Sequence, residues 1–137
     1  MCLLIATKKE GKVSNNKLHN AWQSNNDGVG YAFVNNGKIE IKKFMEFKPF
    51  KNEYNQDFKR HGRKSAFLIH FRYATHGITN LTNVHPFRVN ENLVFGHNGM
   101  INNVDDDKKL SDTRIFNNLV LKKLENDFLN SSALRLL

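Results

Sequence analysis

The sequence predicts one α+β domain, with antiparallel strands in its first half and a helix toward its C-terminal end. A length of 137 residues suits a single compact domain with its own core, so we expect one domain over residues 1–137. Two local patterns indicate the mixture of strands and helices. An Asn-Gly turn lies between two β-favouring runs, and apolar residues recur at helical spacing near the end of the chain.

The N-terminal elements begin with residues 2–6, a short apolar run whose length and content fit a buried strand. This strand would place Cys2 at its end. Ser14 follows as a candidate cap of a short helix, and the chain then enters a turn at residues 24–28. The helix would carry three apolar residues, Leu18, Ala21 and Trp22.

The hairpin signal is Asn35-Asn36-Gly37-Lys38, which separates residues 30–34 from residues 39–44. Asn-Gly is the strongest short signal for antiparallel pairing, because these residues accept the positive φ angles of a two-residue turn. Residues 66–71 and 93–95 are further strand-like runs, and both lead into polar segments that contain glycine. Loops at strand ends are common places for functional sites.

The C-terminal helix is predicted to begin at Ser111 or Asp112, either of which is a fair N-cap. It should lie on a sheet and end near Asn130. Its apolar positions are Ile115, Phe116, Leu119, Val120, Leu124 and Phe128. A fresh apolar pattern begins after Ser131, which is typical of a chain shortened at its C-terminal end.

The chain carries 21 Lys and Arg against 13 Asp and Glu, a formal charge of +8, and most of the excess lies in residues 42–64. Phe50, Tyr54 and Phe58 fall at helical spacing inside this basic segment. We interpret it as a helix with a buried aromatic stripe and a solvated basic face, which disfavours a nucleic-acid partner. Its basic residues are Lys42, Lys43, Lys48, Lys51, Lys59, Arg60, Arg63 and Lys64.

The sequence shows no secretory signal pattern and no apolar run of the roughly 20 residues that a membrane helix needs. We therefore expect a cytoplasmic protein without a membrane partner. Cys2 is the single cysteine, which excludes a disulfide within the chain, and a zinc site would have to use other ligand types.

Polar residues concentrate in three segments, residues 70–77, 83–87 and 96–101, which hold four of the six histidines. A strand with His70 and Arg72 on one face, running into a polar loop, offers a cation and several hydrogen-bonding groups to a small anion. These residues by themselves support the hypothesis of a carboxylate-binding pocket.

Each candidate residue also has a simpler interpretation when it is taken alone. Cys2 would be an inert, half-buried thiol, Arg72 a surface or salt-bridged residue, and Asp112 a helix cap. Asn98-Gly99 would be a β-turn, and each histidine would belong to the core or the surface. Their joint occurrence favours a functional site.

In combination with Cys2, these segments resemble the class II glutamine amidotransferases of the N-terminal nucleophile hydrolase superfamily, which include the glutaminase domain of glucosamine-6-phosphate synthase. The resemblance covers roughly residues 2–128 and implies a four-layer αββα sandwich, with two stacked antiparallel sheets between helices. Because the chain is short for this family, we expect some strands of the second sheet to be trimmed or missing. The motifs occur in the family's order: Met1-Cys2, Arg72-Tyr73-Ala74-Thr75-His76-Gly77, Asn83-Val84-His85-Pro86-Phe87, His97-Asn98-Gly99 and Ser111-Asp112-Thr113.

The resemblance implies that Cys2 becomes the N-terminal residue and attacks the side-chain amide of glutamine, with its own α-amino group as the base. The side-chain NH₂ of Asn98 and the backbone N–H of Gly99 would form the oxyanion hole. Arg72 would pair with the α-carboxylate of glutamine, and Asp112 would receive its α-ammonium group. Thr75 and His76 would line the glutamine pocket, Gly77 would allow a tight turn, and His85 would have a supporting role.

The implied products are glutamate and ammonia, formed through a γ-glutamyl thioester without a metal or an organic cofactor. Ammonia would pass to a synthase domain or to a separate acceptor enzyme, which we expect the basic segment or the C-terminal end to contact. The sequence contains no Gly-rich phosphate loop that would reveal the acceptor.

Two other functions stay open. The chain could be an inactive relative whose basic segment binds a protein or a nucleic acid, although an intact Cys2 and Asn98 argue against this. It could also be an amidase of the same superfamily that acts on another amide, but Arg72 and Asp112 together favour a free amino acid.

Overall fold

The computed structural model describes residues 1–102, 107–124 and 127. The strands are β1 (Leu3–Ala6), β2 (Val29–Asn35), β3 (Lys38–Phe44), β4 (Phe67–Phe71), β5 (Phe87–Asn90) and β6 (Leu93–Phe95). The helices are α1 (Asn15–Ser24), α2 (Phe47–His61), α3 (Asp112–Phe116) and α4 (Lys122–Leu124), with a 3₁₀ turn at Leu81–Asn83 and a π-helical turn at Asn117–Leu121. The main sheet is antiparallel in the order β1-β4-β2-β3, and a second sheet pairs β5 with β6.

Local sequence signals account for the hairpin and for the first helix. β2 and β3 pair along their whole length, and Asn36 and Gly37 at the turn have φ angles of 48° and 77°. Both angles are positive, as a tight turn between twisted strands requires. The Ser14 hydroxyl accepts a hydrogen bond from the Lys17 backbone N–H at 3.4 Å, and α1 begins at the next residue. The predicted hairpin and the predicted cap are confirmed.

One face of the main sheet packs against α1 and α2 and forms the hydrophobic core. The predicted aromatic stripe of α2 lies on this face, with Phe50 and Tyr54 fully buried and Phe58 half-buried. Because side chains alternate along a strand, every second residue of β2 and β4 enters this core. These strand residues are Val29, Tyr31, Phe33, Phe67, Ile69 and Phe71.

A buried carboxylate joins α2 to the main sheet. Asp57 accepts a hydrogen bond of 2.6 Å from the Tyr31 hydroxyl and forms an ion pair of 2.7 Å with Lys42 Nζ. Burial raises the pKa of Tyr31, and its hydrogen bond to Asp57 acts in the same direction, so the phenol stays neutral. Burial alone would lower the pKa of Lys42, but its bonds to Asp57 and Glu53 outweigh burial and the net shift is upward. Part of the basic segment therefore serves the fold.

The opposite face of the main sheet, which we call the inner face, is covered unevenly. The strand register places Leu4, His70, Gly30 and Lys43 in one row across it. β5 covers the end of this row, where Lys43 Nζ lies 4.6 Å from the centre of the Phe87 ring. Beyond the row, an apolar groove of about 210 Å³ opens to solvent. Its lining residues include Ala6, Ala32, Val34, Ile39, Ala66, Leu68 and Val94.

The second sheet lies between the main sheet and the C-terminal helical segment. Asn117, in the π-helical turn, donates to the Arg88 carbonyl oxygen of β5 at 3.2 Å. The centre of the Phe116 ring of α3 lies 6.1 Å from the centre of the Phe95 ring of β6. The layers follow the order helix, sheet, sheet, helix, which confirms the predicted α+β class and αββα arrangement. Within the described part of the chain the second sheet has two strands, fewer than the main sheet.

The C-terminal helical segment does not keep the constant α-helical period that the sequence predicted. Ser111 is the N-cap and accepts from the Arg114 N–H at 3.2 Å, so the helix begins at Asp112 as expected. The π-helical turn then interrupts the α-helical period, because its i→i+5 hydrogen bonds widen the turn. The prediction that Leu119 lies on the buried face is therefore wrong: Leu119 is 48% exposed, whereas the polar Asn117 is buried.

Three predictions for the C-terminal end concern residues outside the described ranges, namely the apolar position at Phe128, the helix end near Asn130 and the apolar pattern after Ser131. Among the helices that the structure describes, none has the length and apolar character needed to cross a membrane.

Candidate active site

The site lies at the end of the main sheet where β1 begins and β4 ends. Leu3 pairs with Phe71, so the register places Cys2, directly before β1, beside Arg72, directly after β4. The Cys2 thiol contacts the Tyr73 backbone, with Sγ 3.3 Å from both its nitrogen and its carbonyl oxygen. Cys2 is half-buried. The predicted nucleophile is thus held at a strand end.

The buried Arg72 guanidinium holds the loop that follows β4. Its Nη2 donates to the His76 carbonyl oxygen at 2.7 Å, and its Nη1 donates to that of Ile78 at 3.3 Å. Burial lowers the pKa of Arg72, while the nearby carboxylates of Asp27 and Asp112 act in the opposite direction. A guanidinium has more N–H donors than these two bonds use, so Arg72 can still bind an anion.

Asp27, which the sequence analysis did not single out, holds the start of the same loop. Its carboxylate accepts from the Ala74 N–H at 2.8 Å, and its own N–H donates to the Arg72 carbonyl oxygen at 3.1 Å. The Arg72 N–H donates in turn to the Gly28 carbonyl oxygen at 2.8 Å. These bonds join the segment just before β2 to the segment just after β4, next to the thiol. In the sequence, Asp-Gly ahead of a strand indicates a turn and nothing more.

The loop of residues 73–78 forms the outer wall of the site. Thr75 and His76 are exposed, and Thr75 Oγ1 lies 3.3 Å from His76 Nδ1. Gly77 has a φ of +71°, and a Cβ added there would lie 2.6 Å from the carbonyl carbon of Leu110. Glycine is required at this position for both reasons, in agreement with the expected tight turn.

Asn83 is fully buried and joins three segments behind this loop. Its Nδ2 donates to the carbonyl oxygens of Ile78 at 2.9 Å and Lys109 at 2.7 Å, and its Oδ1 accepts from the Ser111 N–H at 2.9 Å. Asn83 belongs to one of the sequence motifs, but the motif itself did not indicate a structural role for its side chain. The side chain fixes the start of α3 relative to the loop.

Asp112 lies in the first turn of α3, on the far side of the site. One carboxylate oxygen accepts from the Ile101 N–H at 2.7 Å, and the other accepts from the Thr113 N–H at 2.6 Å. Asp112 therefore joins α3 to the segment that follows Gly99. Carboxylate oxygens can accept further hydrogen bonds, so an ammonium group can still bind here.

Three histidines cluster at the site: His85 and His97 line its cavity, and His70 lies beneath it. The rings of the buried His70 and His85 are 4.0 Å apart between centres, and His70 Nε2 lies 3.1 Å from the His97 carbonyl oxygen. Burial lowers the pKa of His70 to about 4 and the pKa of His85 well below its ordinary value, so both are neutral near neutral pH. Burial also lowers the pKa of Lys43 to about 8, and Arg114 acts in the same direction.

These groups enclose a cavity of about 20 Å³, which is room for about one water molecule. Its lining residues are Cys2, Arg72, Tyr73, Thr75, His76, His85, His97, Gly99, Ser111, Asp112 and Thr113. The exposed Asn98 side chain is not among them. This volume is smaller than that of a typical ligand pocket. Within the described ranges, no group of three or more His, Cys, Asp or Glu side chains could hold a metal ion.

Comparison with family models supports the resemblance that the motifs suggested. A model described as glutamine amidotransferases class-II matches residues 1–117, which is most of the chain. The chain belongs to this family. The matched range includes every site residue that the sequence predicted, since Asp112 is the last of them. A search of curated proteins and a search of solved structures each gave no match.

The structure of this amidotransferase brings most of the predicted site residues to one cavity. Those that line it are Cys2, Arg72, Thr75, His76, His85, Gly99 and Asp112. Gly77 lies directly behind the wall, and the Asn98 side chain lies outside it. Their chemical roles stay predictions. Sequence reasoning missed the supporting residues Asp27 and Asn83 because their partners are distant in the chain.

Proposed function

We propose that this class II amidotransferase hydrolyses the side-chain amide of glutamine with Cys2 as the nucleophile, once Met1 has been removed. The family as a whole hydrolyses glutamine and transfers the ammonia. The observation that carries the proposal for Cys2 is the shared cavity, which Cys2 lines together with a buried cation, Arg72, and a carboxylate, Asp112. A cation and a carboxylate in the same cavity as a thiol suit the two α-groups of a free amino acid.

The reaction begins when the α-amino group of Cys2 takes the thiol proton and sulfur attacks the amide carbon. A C–S bond forms, and an electron pair of the carbonyl moves to oxygen. When this intermediate collapses, the C–N bond breaks and the α-ammonium group returns its proton to the leaving nitrogen, which departs as ammonia. Water then gives a proton to the α-amino group and attacks the thioester, which releases glutamate and the free thiol.

The oxyanion would be stabilised by the Gly99 N–H and the Asn98 side-chain amide. Gly99 already lines the cavity, whereas the Asn98 side chain is exposed. We therefore expect this amide to turn into the site when glutamine binds. The volume supports such a change, because a cavity of about 20 Å³ is far smaller than the several hundred Å³ typical of ligand pockets. Movement of residues 73–78 would open it.

The ammonia acceptor is proposed to be a synthase domain or a separate enzyme. The basic segment offers a contact surface for it, because Lys59 and Arg63 are exposed. Reversing both charges to Glu should weaken the stimulation of glutaminase by a candidate acceptor, with unchanged activity in its absence. Equal stimulation of both proteins would exclude this surface. The cytoplasmic location stays a prediction.

The deciding experiment measures the intact mass of the purified protein before and after incubation with the glutamine analogue 6-diazo-5-oxo-norleucine. We expect loss of Met1 and one adduct in the native protein, and no adduct in Cys2→Ala. Thermal unfolding of both proteins controls for folding. A processed, folded native protein that stays unlabelled would contradict the proposal and favour the binding-module alternative.

Substrate preference separates glutaminase from a broader amidase. Ammonia release should be rapid with glutamine and slow with asparagine or with acylated amines, which lack the matching side-chain length or the α-charges. Asp112→Asn should raise KM for glutamine more than it lowers kcat, because the α-ammonium group binds in both the ground state and the transition state. Equal rates with acylated amines would favour the amidase.

A further inference from the structure

His70 is a buried polar residue at the centre of the inner face, directly beneath the site. It lies in β4 between Leu4 of β1 and Gly30 of β2, and it is 0% exposed. The next residue of β4 on the same face, Leu68, is apolar. A leucine would fill the same layer without a polar ring, and burial of a polar group is unfavourable unless it is hydrogen-bonded. The imidazole therefore needs a reason beyond packing.

The hydrogen bond of His70 identifies what it contacts. Nε2 lies 3.1 Å from the His97 carbonyl oxygen, and a carbonyl oxygen accepts but cannot donate. The proton must therefore be on Nε2, with His70 as the donor. The accepting carbonyl belongs to the peptide that joins His97 to Asn98. Its orientation sets the direction in which the chain continues to Asn98 and Gly99.

The surroundings of His70 keep this bond in place. The His85 ring packs against it at 4.0 Å between centres, and a side chain at Gly30 would overlap the His85 carbonyl oxygen. Above it, the His97 ring packs on Gly99, where an added Cβ would lie 2.9 Å from His97 Cε1. The chain from the sheet to Gly99 is thus a continuous set of contacts.

We propose that His70 is a positioning residue for the oxyanion hole: its Nε2–H fixes the peptide between His97 and Asn98, and thereby the backbone that carries the Asn98 side chain and the Gly99 N–H. This inference rests on the proposed glutaminase function. His70 touches no substrate and transfers no proton. Its Nδ1 is buried and has no hydrogen-bond partner among the described residues, and burial keeps the ring neutral near neutral pH.

The test compares two substitutions of His70, one that keeps a hydrogen-bond donor and one that removes it. His70→Gln keeps an N–H at a similar reach from the backbone, whereas His70→Leu keeps similar bulk and removes the donor. We expect kcat of His70→Leu to fall about 10- to 100-fold with KM changed less than about threefold, because misplaced oxyanion donors affect the transition state. His70→Gln should recover a substantial part of kcat. A purely structural role would lower stability in both variants without this difference.

A control at another histidine shows whether the effect is local. His61 is half-buried at the end of α2, where its ring lies 5.1 Å from that of Phe33 on the core face. His61→Leu should leave kcat unchanged. If His70→Leu retains native kcat while the native protein is active, His70 has no positioning role, and the glutaminase proposal stands.

A second measurement does not depend on activity. Backbone ¹⁵N relaxation should report lower order parameters at Asn98 and Gly99 in His70→Leu than in the native protein, with little change in β2. Unchanged order parameters at both residues would overturn the proposal for His70. Absence of glutaminase activity and of Cys2 labelling in the native protein would overturn the function on which it rests.

Discussion

Acidification should destabilise this protein through His70, and the size of the effect follows from its burial. The pKa of His70 is lowered from an ordinary value of 6.5 to about 4 by burial. At a pH above this ordinary pKa, the His70 ring binds no extra proton in either the folded or the unfolded chain, so His70 does not change stability with pH. As the pH falls further, the unfolded chain takes up a proton that the folded chain excludes, and the free energy of unfolding decreases.

Linkage gives the magnitude of this loss. Between neutral pH and about pH 4.5, His70 alone should remove about 2.5 kcal/mol of stability, and the effect should level off below its folded pKa. The pKa of His85 is also lowered by burial, so its contribution has the same sign. Together they make the native protein more sensitive to acid than its carboxylates alone would.

Urea unfolding at a series of pH values measures this prediction. The native protein and His70→Gln should differ in the slope of unfolding free energy against pH, with the variant losing about 2.5 kcal/mol less over the same range. His70→Leu, which also removes the titrating ring, should show the same reduced slope as His70→Gln. Parallel curves for the native protein and His70→Gln would show that His70 is not held neutral by the fold.

Three further substitutions, two of them with a matched control, test individual contacts by thermal or urea unfolding. Asp57→Ala should lower the free energy of unfolding by about 2 to 4 kcal/mol, because it leaves a buried tyrosine hydroxyl and a lysine without their acceptor. Glu53→Ala, at a more exposed position, should lower it by under about 1 kcal/mol. Equal losses in the two variants would show that burial of the ion pair is unimportant. Ser14→Ala should cost about 1 kcal/mol through loss of the α1 cap, and no loss would remove that role. Gly30→Ala should lower stability far more than Gly96→Ala. The Cβ added at position 30 meets a rigid carbonyl oxygen, whereas the Cβ added at position 96 meets the flexible end of a leucine at 3.2 Å. A Gly30→Ala variant of native stability would contradict this close packing.

The elements that local chemistry determines were predictable from the sequence. The turn at Asn36-Gly37 needs positive φ angles, and Ser14 supplies a cap within three residues of its donor, so each signal lies inside a short window. The buried stripe of α2 follows from helical spacing alone. The ordered motifs also predicted most of the residues that line the cavity, since each motif falls at the end of a strand or the start of a helix.

The missed features depend on contacts between distant parts of the chain. Asn83 binds residues 78, 109 and 111, and Asp27 binds residue 74, so neither role is visible in a local window. β5 was not predicted as a strand, because its four residues pair only with the three residues of β6 and are recognisable only in that hairpin. The π-helical turn moved Leu119 off the buried face, which a constant helical period cannot anticipate.

The alternation along β4 has a consequence for genetics. Phe67, Ile69 and Phe71 enter the aromatic core. On the opposite face, Leu68 lines the apolar groove, His70 is buried beneath the site, and Arg72, directly after the strand, lines the cavity. Neighbouring positions of one short strand are thus exposed to different kinds of selection. A complete mutational scan of this segment should show loss of soluble protein at the three core positions and loss of turnover in folded protein at His70 and Arg72. Compensating mutations for the first group should come from α1 and α2, and those for the second from the loops around the thiol.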